Sequence, residues 1–179
     1  MLVGLVSLTF FFGALILAFG LRIQQQATWQ RFETPSILWL GALVLLLSSW
    51  TLEGARRALR RALVAIYRGR LLATIALALM FLGVQAFTAV DLVGQGVAAA
   101  ANPHGSAFYL FMGIHGAHLL GGIAWLSYLR ARSKPLFSGT ETDLRHHRRI
   151  VSAAALYWHF MGALWLVLFW FLRRWAAGA

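Results

Sequence analysis

Three histidines inside long apolar segments are the side chains of this sequence best suited to chemistry. His115 and His118 are three residues apart in the run Gly-Ile-His-Gly-Ala-His-Leu-Leu-Gly-Gly, so they share one face of a helix. His159 follows in the run Tyr-Trp-His-Phe. Polar side chains are costly within a membrane, so each of these imidazoles marks a candidate functional site.

The histidines allow two interpretations. A b-type haem needs one imidazole on each side of its iron, which His159 could supply together with His115 or His118. Alternatively, the imidazoles form hydrogen bonds between helices and stabilise their packing. A zinc or copper site is less favoured, because neither a carboxylate nor a thiolate lies nearby in the sequence. We predict no catalytic and no metal-binding residue in this chain, and a structural motif formed by His115, His118, Tyr157, Trp158, His159 and Trp165.

The same segment carries a second pattern. Gly113, Ala117 and Gly121 follow one another at spacings of four, the small-xxx-small arrangement that lets transmembrane helices approach closely. This segment is therefore expected to pack tightly on one side and to present imidazoles on another.

The composition places these residues in a membrane protein. The chain has 179 residues, of which 60% are hydrophobic and 12% charged, and its mean hydropathy is +0.72. A soluble domain is about 45–50% apolar and about 25% charged. The sequence contains no cysteine, which excludes a disulfide scaffold and thiolate chemistry. We interpret residues 1–179 as one integral membrane domain.

Five segments are long and apolar enough to cross a bilayer, whose core requires about 20 helical residues. They cover approximately residues 2–21, 36–52, 71–92, 108–129 and 150–172. Because an open sheet could not satisfy its backbone hydrogen bonds in lipid, the predicted fold class is an all-α bundle of five transmembrane helices.

The basic residues predict the orientation of this bundle. The second and fourth connectors each hold six lysines or arginines, whereas the other side holds four. The positive-inside rule then places the N-terminus in the cytoplasm and the C-terminus outside. The net charge of +11 is thereby explained without nucleic acid as a partner.

Taken together, two motifs resemble a known family. The run from Gly113 to Gly122 is similar to the His-Gly-x-His segment of subunit III of the haem-copper oxidases (cytochrome c oxidase subunit III). The run from Tyr157 to Phe160, with Trp165 shortly after it, is similar to that family's Tyr-Trp-His-Phe segment. The resemblance extends over the whole chain, and five spans are typical of short bacterial members.

This resemblance implies a multi-pass subunit of the bacterial cytoplasmic membrane that binds no cofactor of its own. It would pack beside the catalytic subunit I, which carries haem and copper, and beside other oxidase subunits. It would hold phospholipid and support the stability and proton supply of its neighbour. The positions at which the family contacts lipid headgroups correspond here to Arg56, Arg57, His147 and Arg148. The alternative for these four residues is ordinary positive-inside charge.

The sequence departs from the family in one direction. Where the family often carries carboxylates, this chain has Ser7, Thr88, Ser152 and Gly162. These replacements indicate a divergent branch. Two alternatives stay open at this point: an accessory subunit of a nitric oxide reductase, and a small b-type cytochrome.

Overall fold

A computed structural model describes residues 2–24, 36–96, 103–136 and 141–176. It contains five helices: α1 (Leu2–Gln24), α2 (Ile37–Arg60), α3 (Val64–Gly94), α4 (Pro103–Leu136) and α5 (Glu141–Ala176). The described residues include no β-strand. All five helices are long and apolar enough to cross a membrane, which confirms the predicted fold class.

The helices are longer than the apolar spans at the ends that carry most of the arginines. Helix α3 begins at Val64, seven residues before the predicted span, and α5 begins at Glu141, nine residues before it. Arginine is a good helix former, and its long side chain can extend from an apolar stem to water. The basic residues of these connectors therefore lie largely on helical turns.

Helices α2 and α3 form a tight antiparallel hairpin. The amide of Leu63 donates to the Ala58 carbonyl and the amide of Ala62 to the Leu59 carbonyl, which is the Schellman pattern. This pattern requires one residue in the left-handed backbone conformation. Ala62 is that residue, with φ of 56°. Gly41 lets α2 approach Phe81 of α3, since an added Cβ would lie 3.3 Å from the phenylalanine ring.

Helices α2 to α5 form the core of the bundle, and α1 lies at its edge. In the most apolar 18-residue stretch of α1, only 11% of the residues are buried, whereas 39–50% are buried in the corresponding stretches of the other four helices. Among the described residues α1 contacts only α4 and α5. Phe12 lies against His118 with 5.9 Å between ring centroids, and Phe19 lies 5.6 Å from Phe111.

Candidate functional sites

The two sequence motifs meet in the centre of the bundle. His115 of α4 and Trp165 of α5 are completely or almost completely buried, with 5.4 Å between their ring centroids. Phe81 of α3 contacts both rings, at 6.0 Å from His115 and 5.0 Å from Trp165. The first histidine of the motif is thus enclosed by aromatic side chains of two neighbouring helices.

Other motif residues form hydrogen bonds between helices. Trp158 donates its indole N–H to the Ser48 hydroxyl of α2 at 3.0 Å. Tyr157 donates its hydroxyl to the His118 carbonyl of α4 at 2.8 Å. Such bonds contribute roughly 0.6 kcal/mol on average and up to about 2 kcal/mol within a membrane. Through these two side chains α5 is joined to α2 and α4, which is the geometry of a structural motif.

Gly122 provides the surface on which these two aromatic rings pack. A Cβ at this position would lie 3.0 and 3.2 Å from Trp158 ring carbons and 3.2 Å from a Tyr157 ring carbon. By contrast, Gly113 and Gly121 have nothing within 4 Å, and both are exposed together with Ala117. Within the described chain, the close approach of α4 to α5 therefore uses Gly122 and not the small-residue stripe.

The three histidines that could have bound haem have different partners. His118 donates its Nδ1 proton to the Ile114 carbonyl at 2.8 Å, and its ring contacts Phe12. His159 Nε2 lies 4.0 Å from Glu53 Oε2 on α2, whereas His115 faces Phe81 and Trp165. In the described segments, no three His, Cys, Asp or Glu side chains lie close enough to hold a metal ion. This arrangement gives no support to a pair of imidazoles facing one haem.

A basic pocket lies between the last turns of α2 and the first turns of α5. It is a small, open pocket of about 20 Å³, and it is lined by Arg56, Leu59, Arg60, Arg148, Val151 and Ser152. Arg148 donates to the Arg60 carbonyl at 3.4 Å, while its Nε is buried and has no partner among the described residues. Three guanidinium groups in one small pocket favour an anion, because guanidinium forms paired hydrogen bonds with phosphate and carboxylate.

Glu53 supplies the negative charge that faces the arginines of this pocket. Its carboxylate lies 2.7 Å from Arg56, 3.6 Å from Arg60 and 3.9 Å from Arg57. One carboxylate among three arginines of the same helix leaves an excess of positive charge, to which Arg148 adds. Arg56 also reaches the Ser152 hydroxyl at 3.5 Å, which joins α2 to α5.

The four predicted headgroup contacts do not come together. Arg56 and Arg148 line the basic pocket, whereas the side chain of Arg57 is 65% exposed and lies outside it. His147 is 4% exposed, and its Nε2 lies 3.0 Å from the Tyr67 hydroxyl of α3. Its imidazole therefore joins α5 to α3 and does not face the pocket.

Sequence reasoning missed three residues of this region: Glu53, Arg60 and Ser152. Arg56, Arg57 and Arg60 follow Glu53 at spacings of three, four and seven. Those spacings place all four side chains on one helix face and were sufficient to identify the cluster. Whether Ser152 faces the pocket depends on the rotation of α5 about its axis relative to α2. This rotation cannot be predicted from a local sequence pattern.

An apolar groove lies on the same α2–α5 seam, nearer the middle of both helices. Its volume is about 210 Å³, and its lining is formed by Ala42, Leu45, Leu46, Ser49, His159, Gly162, Ala163 and Leu166. Gly162 keeps the groove open, since an added Cβ would lie 3.7 Å from the Ser49 hydroxyl.

The family model of cytochrome c oxidase subunit III matches residues 1–177. The chain is 29% identical to a probable quinol oxidase subunit 3 of Staphylococcus saprophyticus, over 90% of this chain and 77% of that protein. It is 30% identical to a probable cytochrome c oxidase subunit 3 of Mycobacterium leprae, over 91% of this chain and 79% of the relative. A protein of the same name from Mycobacterium tuberculosis is 28% identical, with the same coverage.

Proposed function

Because this chain belongs to the cytochrome c oxidase subunit III family and is thus an accessory subunit of a haem-copper oxidase, we propose that it holds anionic phospholipid beside the catalytic subunit. In this proposal haem and copper belong to subunit I, and the present chain contributes helix packing, bound lipid, stability and support of proton supply. The complex would lie in the bacterial cytoplasmic membrane, as the bacterial origin of the relatives suggests.

The basic pocket is the observation that carries the lipid proposal. Arg56, Arg60 and Arg148 line a small, open pocket to which Ser152 adds a hydroxyl, so a headgroup would lie across its mouth. A phosphodiester headgroup offers the oxygen atoms that guanidinium and hydroxyl groups bind. The pocket lies at the end of the bundle with most of the arginines, and basic residues beside an anionic leaflet gain roughly 1 kcal/mol each.

The neighbouring groove suits an acyl chain of the same lipid. Pocket and groove follow one another along the α2–α5 seam, with Glu53 and His159 between them. The groove lining is mainly alanine, glycine and leucine, so a hydrocarbon chain would contact apolar atoms. We therefore expect the headgroup in the basic pocket and one chain along the groove.

The lipid proposal is tested on the complete oxidase, purified from native membranes through a C-terminal tag on this chain. Arg148→Gln removes a guanidinium that would bond the headgroup directly, and the loss of such a bond, worth about 1.5 kcal/mol, corresponds to roughly tenfold weaker binding. We expect less co-purified anionic phospholipid by mass spectrometry. Arg57→Gln is the matched control, because Arg57 is exposed outside the pocket. Equal lipid retention in Arg148→Gln and the unaltered complex would contradict the proposal.

The same purification identifies the partner. We expect a multi-span catalytic subunit of an oxygen-reducing oxidase to co-purify with the tagged chain. Recovery of a nitric oxide reductase would change the substrate of the complex and keep the accessory role. Recovery of the chain alone, carrying a haem absorption band, would instead support the b-type cytochrome.

A further inference from the structure

A cluster of buried polar side chains without protein partners lies in the centre of the bundle. Gln85 of α3, His115 of α4 and Trp165 of α5 are 6%, 0% and 1% exposed. Gln85 Nε2, both ring nitrogens of His115 and Trp165 Nε1 have no hydrogen-bond partner among the described residues. Buried polar groups are normally hydrogen-bonded, so this cluster requires a partner of another kind.

Two of the side chains are direct neighbours, and the third lies at the same level of the bundle. The rings of His115 and Trp165 are 5.4 Å apart, and both contact Phe81. Gln85 lies one turn after Phe81 on α3, and its amide oxygen is 3.6 Å from where a Cβ of Gly116 would be. Gly116 directly follows His115, so the amide and the imidazole occupy the same level of the bundle.

Other polar groups on the inward faces of these helices do have partners. Ser48 accepts from Trp158, Thr51 and Thr74 are 2.9 Å apart, and Thr88 donates to the Val84 carbonyl. Among the described residues, the unpartnered groups in the apolar core are therefore those of Gln85, His115 and Trp165. The other two, Arg130 Nε and Arg148 Nε, belong to arginines at the basic end of the bundle.

Rotation of the side chains could not satisfy the cluster from within. A neutral imidazole has one N–H and one acceptor nitrogen, an indole has one N–H, and a primary amide has two N–H groups and one oxygen. Four N–H groups therefore face two acceptor atoms. The missing partner has to accept hydrogen bonds from at least two helices and to donate one to the imidazole.

The chemistry of the cluster restricts that partner to a small neutral molecule. None of the three side chains carries a formal charge that would compensate a buried anion. An apolar occupant would leave all the N–H groups unpaired. Water accepts two hydrogen bonds, donates two and fits sites defined by two to four polar groups.

We propose that His115, Gln85 and Trp165 bind an internal water molecule that bridges α3, α4 and α5 in the centre of the bundle. The water accepts from Gln85 Nε2 and Trp165 Nε1 and donates to the acceptor nitrogen of His115. This site is separate from the basic pocket, so the lipid proposal and the water proposal can fail independently.

A cryo-electron microscopy map of the intact complex, at a resolution that shows ordered water, tests the proposal directly. We expect a density peak about 2.7–3.2 Å from nitrogen atoms of at least two of the three side chains. A map without such a peak, or one in which these nitrogen atoms bond protein groups directly, would overturn the proposal.

A second measurement uses the complex labelled with ¹⁵N-histidine in native lipid. In water-edited solid-state NMR we expect the His115 ring signal to grow early, because its nitrogen contacts water. The signal is assigned by its loss in His115→Phe, which retains an aromatic ring. A His115 signal that receives no magnetisation from water would refute the site, and if His115→Phe does not assemble, the map of the unaltered complex still decides.

Discussion

Residue-level packing explains why the aromatic motif requires a glycine on the facing helix. The rings of Trp158 and Tyr157 are held by hydrogen bonds to Ser48 and to the His118 carbonyl, so neither ring can easily move away from Gly122. The motif residues could be predicted to lie inside apolar helices from their spacing alone. Their partner Ser48 could not, because it lies on a helix whose rotation no local pattern determines.

Gly122→Ala is expected to destabilise the subunit. The added methyl group would lie 3.0 Å from Trp158, and overpacking typically costs about 1–3 kcal/mol. Gly113→Ala is the control on the same helix, because its Cβ would meet nothing within 4 Å and alanine is the better helix former. Thermal dissociation of the subunit from the purified complex measures both variants, and equal midpoints would contradict this account of the packing.

Ser152→Asp is expected to weaken anion binding in the basic pocket. The new carboxylate would lie near Arg56, which reaches the present hydroxyl at 3.5 Å, and would cancel one positive charge of the pocket. We expect less retained anionic phospholipid by mass spectrometry. Ser152→Ala keeps the charge and should retain nearly as much as the unaltered complex, so a similar loss in both variants would show that charge is not the cause.

The number and type of the secondary-structure elements could be predicted from the sequence, but the lengths of the helices could not. Hydropathy identified five spans because it follows the hydrocarbon core, and the described residues form five helices that are long and apolar enough to cross it. It gave no information on the basic turns at residues 64–70 and 141–149, which continue as helix beyond that core. The basic pocket also lies largely beyond the predicted spans, between the last turns of α2 and the first turns of α5. Of the four predicted lipid contacts, Arg56 and Arg148 line it, whereas Arg57 and His147 lie on other faces of the same helices.

Ala62→Gly is expected to stabilise the α2–α3 hairpin. Ala62 adopts φ of 56°, and the left-handed conformation costs a residue with a Cβ about 1–2 kcal/mol. Glycine removes this cost and keeps the Schellman hydrogen bonds. Ala65→Gly is the control: Ala65 lies in the first turn of α3, where glycine should destabilise the helix by up to about 1 kcal/mol. Thermal unfolding of both variants tests the prediction, and a lower midpoint for Ala62→Gly would refute it.

The whole molecule has an asymmetric distribution of charge that predicts its orientation in the membrane. The absence of cysteine makes this prediction directly testable, because each introduced thiol is unique in the chain. Leu63→Cys places a thiol in the α2–α3 turn, and Gln95→Cys places one just after α3, at the opposite end of the bundle.

In intact spheroplasts, a membrane-impermeant maleimide should label Gln95→Cys and not Leu63→Cys, since the basic α2–α3 end is expected in the cytoplasm. After lysis both positions should react. Labelling of Leu63→Cys in intact spheroplasts, with Gln95→Cys protected, would reverse the orientation and place the basic pocket outside.

The sparse contacts of α1 have a consequence for biosynthesis. Ribosomes deliver the chain from its N-terminus, so α1 enters the bilayer before any of the helices it touches. Its contacts in the described chain are with α4 and α5, which are synthesised last. During the interval α2 and α3 can already form their hairpin, while α1 remains surrounded by lipid. Of these five helices, α1 is thus inserted first and packed last, and another subunit present at that time would find its surface uncovered.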